Sequence, residues 1–138
     1  MAANTNPIFT LSPSIQWGAS LLTTANTARD GTGTVLTVFT SDATNGGFVQ
    51  KVRVRAAGTN VATVMRLFIN NGSTNATAAN NILYEELTIA ATTASEVAQL
   101  ANNEITLNIA LPAGYKLNAT IGTTVATGLY VSTIGVSY

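Results

Sequence analysis

Apolar and polar residues alternate with a period of two along most of this chain. Phe48 to Ala57 is the clearest run, with Val52, Val54 and Ala56 on one side and Lys51, Arg53 and Arg55 on the other. Successive strand side chains point to opposite faces, so this spacing predicts a half-buried β-strand. Glu104 to Leu111 repeats it: Ile105, Leu107, Ile109 and Leu111 inward, Glu104, Thr106 and Asn108 outward. Tyr115, Leu117, Ala119 and Ile121 make a further run, and Leu129 to Tyr138 closes the chain as a strand. Ile82 to Ala90 alternates with Leu83, Leu87 and Ile89 on the face of Glu85. Gly33 to Thr40 (GTVLTVFT) is β-branched and aromatic, the composition strands prefer. Ile8 to Leu11 and Ile15 to Leu22 add one or two strands near the start.

Asn60 to Ile69 departs from simple alternation. Met65, Leu67 and Ile69 share one face, yet Val64 and Phe68 are apolar on the other. That pattern predicts a strand covered on both sides. Arg66, set among these apolar residues, is expected to turn toward a carboxylate.

Turn chemistry punctuates the runs. Ser41 to Gly47 (SDATNGG) predicts a β-hairpin joining the strands on either side, with Asn45-Gly46 near its tip. Asn70-Asn71-Gly72, Pro112-Ala113-Gly114 and Gly122 to Gly128 are further stops. Ser73 to Asn81 is small and polar and reads as a loop. Ala91 to Asn103 reads as a loop with room for one helical turn, Ser95 or Thr93 serving as its cap. About eight short strands at this spacing predict an all-β fold, a single-domain antiparallel β-sandwich. Strand count leaves jelly-roll and immunoglobulin-like orders both open. The sandwich domain is placed at 23–138. Residues 1–22 form an N-terminal arm and first strand or strands, packed on the domain or on a neighbour. The first residues lack the basic and apolar regions of a signal peptide.

Composition narrows the chemistry. The 138 residues include no Cys and no His, and 9% are charged, against about 25% in an average domain. A Ser-His-Asp or Cys-His arrangement is therefore excluded, as is zinc in its usual nitrogen and sulfur coordination. No metal and no cofactor are expected, and the chain reads as a non-enzyme. Lys51 and Lys116 could serve a Ser-Lys nucleophile, but neither lies in a local motif. The acids are Asp30, Asp42, Glu85, Glu86, Glu96 and Glu104. Glu85 and Glu86 are adjacent on a strand, so they point apart and cannot share one bond; Glu86 and Glu104 suit cross-strand charge pairs. Arg29 to Thr34 is glycine-rich but matches no phosphate-binding motif, and reads as a turn built on Asp30 and Gly31.

Zero net charge gives no long-range field, so neither nucleic acid nor a membrane is an expected partner, nor is a small-molecule substrate. Low charge on a Thr-, Ala- and Asn-rich chain suits a permanent assembly. The Lys51, Arg53 and Arg55 stripe is a candidate interface; its alternatives are a solvated sheet face or an edge strand guarded by charge. Trp17 is the sole Trp; core packing is its default, with an interface anchor as the alternative. Pro7, Ile8 and Phe9 of the arm complete the candidate interface residues.

Four strings in order carry a resemblance: Thr27 to Thr34 (TARDGTGT), Val52-Arg53-Val54, Arg66 to Gly72 (RLFINNG), and Leu111 to Leu117 (LPAGYKL). Together they resemble a group of small tailed-bacteriophage virion proteins, from about Thr23 to the C-terminus. The resemblance implies a β-sandwich that attaches to a capsid or tail, as a decoration or cement protein. It further implies the major capsid protein and copies of itself as partners, a homotrimer among the forms expected. The expected location is the capsid surface of the virion, after synthesis in the cytoplasm of a bacterial host. A tail or head-fibre component that binds host glycans is the alternative.

Overall fold

The structure, a computed structural model, describes residues 12–138. Eight strands account for the fold: β1 (Ser12–Trp17), β2 (Leu36–Thr40), β3 (Gly47–Ala56), β4 (Thr63–Asn70), β5 (Asn81–Ile89), β6 (Asn103–Leu111), β7 (Lys116–Ile121) and β8 (Leu129–Ser137). They form two four-stranded antiparallel sheets. Sheet 1 has the order β1-β8-β3-β6 and sheet 2 the order β2-β7-β4-β5. The pairs β1–β8, β2–β7, β3–β6 and β4–β5 are nested one within another, as if one long hairpin had been wrapped around a barrel. This is jelly-roll order, and it settles the choice between the two sandwich topologies.

The inward-facing residues of both sheets meet in one core. Val49, Val52, Val54, Ile105, Leu107 and Val131 come from sheet 1, and Phe39, Met65, Leu67, Leu117, Ala119 and Ile121 from sheet 2. Lys51, Arg53 and Arg55 lie on the outer side of sheet 1, as the alternation in β3 requires. At one side of the sandwich Gln16 ties the sheets together: its Nε2 donates to the Thr40 carbonyl (2.9 Å) and its Oε1 accepts from the Thr40 N–H (2.8 Å).

The expected hairpin around Asn45-Gly46 is not formed. β2 belongs to sheet 2 and β3 to sheet 1, so Ser41 to Gly46 crosses between sheets. The turn itself is real: the Asp42 carboxylate accepts from the N–H groups of Thr44 (2.9 Å) and Asn45 (2.7 Å). Local turn chemistry bends the chain; core packing chooses the partner strand. Four further expectations shift. The strand predicted from Gly33 begins at Leu36, and the first described strand ends at Trp17 rather than running on to Leu22. Ala91 to Asn102 contains no helical turn, whereas the Ser73 to Asn81 loop holds a short 3-10 turn at Ala78–Asn80.

A register shift also splits β5. Leu87 lies opposite Met65 on the inner face, but Leu83 lies opposite Phe68 on the outer one, with Tyr84 as the extra residue between. Leu83 and Leu87 therefore do not share a face. On β8, Gly135 sits beside a similar shift: a Cβ there would lie 2.2 Å from the Phe48 carbonyl oxygen, so only glycine fits.

Candidate interaction surface

The two sheets have very different outer faces. On sheet 2 the outer row Asn118–Phe68–Leu83 and the row Thr120–Arg66–Glu86 follow from the register. Phe68, Asn118, Thr120 and Arg66 are all buried there. They are covered by the chain's own segment 23–35. Asn26 N–H donates to the Ile121 carbonyl at the end of β7 (2.8 Å), and Arg29 Nη1 reaches Glu86 Oε1 on β5 (3.2 Å), so the segment crosses β4 between these points. Asn75 Nδ2 donates to the carbonyls of Gly31 and Gly33, and Asn81 Nδ2 to that of Asp30, which fastens the loop after β4 to the same segment. The expected turn at Asp30-Gly31 is present: Asp30 Oδ1 accepts from the Thr32 N–H (3.1 Å) and hydroxyl (2.6 Å), and Gly31 has φ +79°. The hydroxyl, then the N–H, holds the Asp30 carboxyl below its ordinary pKa.

Arg66 meets the expectation that it pairs: its Nε donates to Glu86 Oε1 at 3.0 Å, directly across from it in the register. Its Nη1, and the hydroxyl of Thr120 opposite, have no partner among the described residues. The Glu86 carboxylate offsets the cost of desolvating the Arg66 charge.

Sheet 1 has nothing of the kind over it among the described residues. Its outer rows read Ile15–Ile134–Lys51–Thr106, then Trp17–Ser132–Arg53–Glu104, then Tyr130–Arg55. The β1 and β8 half is apolar and aromatic; the β3 and β6 half is charged. Trp17 is 70% exposed, Ile15 63% and Tyr130 60%. The default expectation of a core Trp17 is thus overturned. The pairing of β1 with β8 places Trp17 opposite Ser132, while inward-facing Thr133 takes the neighbouring Gln16. After Trp17 the chain folds along β8, with Gly18 N–H on the Val131 carbonyl (3.2 Å). This leaves a groove of about 480 Å³ between Trp17 to Leu21 and Tyr130 to Ser132.

The basic stripe lies on β3, an interior strand, so it is not an edge guard. Arg53 donates to Glu104 Oε1 from Nε (2.8 Å), and Lys51 Nζ lies 3.3 Å from Glu104 Oε2. Arg53 first, and Lys51 with it, holds the Glu104 carboxyl below its ordinary pKa. Arg55 has no carboxylate partner among the described residues; its Nη2 is 3.4 Å from the Leu100 carbonyl. Pro7, Ile8 and Phe9 lie outside the described residues.

The structure thus brings Trp17 and Arg53 into one row and sets Arg55 beside Tyr130. Sequence reading missed Ile15 and Tyr130 as surface residues. The available signal was in β8, where Val131 and Thr133 share one phase while Tyr130, Ile134 and Val136 are apolar in the other. No protein-family model, curated protein or solved structure matches this chain.

Proposed function

We propose that this protein is a structural component of a tailed-bacteriophage particle, a decoration or cement protein that works by adhesion and performs no catalysis. The observation that carries the adhesive part is the open face of sheet 1, with Trp17, Ile15 and Tyr130 exposed beside Arg53 and Arg55. Protein contacts favour this combination: aromatic and Arg side chains dominate binding energy, with charge toward the rim. The phage setting rests on the four resembling strings, and jelly rolls are used by viral shells and by lectins alike. In this reading the arm residues Pro7, Ile8 and Phe9 and the open face contact the major capsid protein and sister copies at the capsid surface. Many identical weak contacts on a repeating shell add up through avidity.

The test uses particles from a phage lacking this protein. Purified chain is added back and bound copies per shell are counted. Wild type binds, and Trp17→Glu and a deletion of residues 1–11 each lower occupancy. Full occupancy with both changes removes this surface and the arm from the mechanism. One observation favours the second reading, a host-glycan module: two aromatic side chains, Trp17 and Tyr130, flank the groove. Selective glycan-array binding that Trp17→Ala abolishes puts that reading first.

A further inference from the structure

We propose that the open face of sheet 1 seats the β5 edge of a second copy of this chain, head to tail. The proposal rests on the adhesive reading above and names one of its contacts. Among the described residues seven large apolar side chains are exposed. Two stand singly in loops; the other five fall into two groups. Ile15, Trp17 and Tyr130 lie on sheet 1 beside Arg53 and Arg55. Ile82 and Tyr84 lie on β5 beside Glu85, which has no cationic partner among the described residues.

Charge sets the pairing. Lys51, Arg53 and Arg55 against Glu104 leave two net positive charges on the open face. The whole chain is neutral, so the remainder carries two net negative charges. Two open faces set against each other would oppose cation to cation, which disfavours that pairing. Arg66 and Arg29 neutralise Glu86, so the β5 group offers its complement through Glu85 beside Ile82 and Tyr84. Geometry agrees: Gln16 closes the β1/β2 side of the sandwich, and β5 is the edge of sheet 2 farthest from it. The two groups therefore sit at opposite corners, and a contact between them is heterologous, closing a ring or extending a chain.

Backbone pairing between copies is the competing route, and every edge is guarded against it. Pro13 lies in β1, and β2 has five residues and a register shift at Val38. β5 carries the shift at Tyr84 with Glu85 and Glu86, and β6 carries Asn108 at φ +50°. Side chains, not strand edges, are left to make the contact.

Sedimentation velocity over a range of protein and salt concentrations tests this. The wild-type chain associates as its concentration rises, and less so in high salt. Arg55→Glu and Glu85→Arg each raise the dissociation constant by about tenfold, since each sets like charges against each other. The double variant associates like wild type because every junction regains opposite charges, and an equimolar mixture of the two single variants associates more than either alone because alternating junctions regain them. Melting curves confirm that all four proteins fold. A wild-type chain that stays monomeric throughout overturns the proposal. So does a double variant that stays as weak as either single one. Shell occupancy of the same variants separates the two ideas: a chain that coats shells yet never self-associates loses this contact and keeps its place on the capsid.

Discussion

On sheet 2 the outer-face side chain Phe68 is fully buried, while on sheet 1 the outer-face Trp17 is 70% exposed. Both faces carry an ion pair from a central strand to the neighbouring edge strand: Arg66 on β4 with Glu86 on β5, Arg53 on β3 with Glu104 on β6. What differs is the lid. Segment 23–35 crosses sheet 2 and is pinned at Ile121 and Glu86, so an apolar row there is core. Among the described residues nothing crosses the same kind of row on sheet 1. Exposed apolar patches are where proteins meet partners, and that is the ground for the proposed adhesive role.

The difference can be broken at its strongest point by Phe68→Ala. Removing a fully buried ring costs about 4 kcal/mol, read by chemical denaturation. Glu86→Ala comes next. It leaves the Arg66 guanidinium uncompensated, and since Glu86 is 40% exposed the expected loss is about 2 kcal/mol. Arg29 loses its partner at the same time, which loosens the lid, so amide exchange in 23–35 speeds up. Trp17→Ala belongs to the open face and shifts stability by less than about 0.5 kcal/mol. If it destabilises as much as Phe68→Ala, the open face is closed by this chain and the contrast fails.

The smallest effect is electrostatic. The folded pKa of Glu104 lies below its unfolded value, so its contribution is whole at neutral pH. It fades as the pH falls below about 4.3 toward the depressed folded value. Melting temperatures of wild type and Glu104→Gln should differ at pH 7 and converge in acid. Asp30 and Asp42, each held low by neighbouring hydroxyl or N–H donors, fade in the same direction.

How far the amino-acid pattern could be read follows from which forces are local. The phases of β3, β6 and β7 were legible because alternation reports burial directly, and β4 was legible as doubly covered. The partner of β2 was not, since Asp42 and Asn45 specify a bend but not the sheet the chain enters next. The phase of β5 was hidden by Tyr84, one inserted residue that turns Leu83 to the other face. Trp17 misled because a large apolar residue is usually core; its exposure follows from the β1–β8 register, a long-range fact. The lid was invisible for the same reason: TARDGTGT announces a turn, not the strands it crosses.

Trp17 is the only tryptophan, so its fluorescence reports the open face without interference. Iodide quenching of that emission, in dilute chain and in chain bound to shells or to itself, measures whether this face is what adheres. Ready quenching is expected in the dilute protein, and strong protection once it is assembled. Protection already present in the dilute chain, or equal quenching in both states, would contradict the adhesive role of this face.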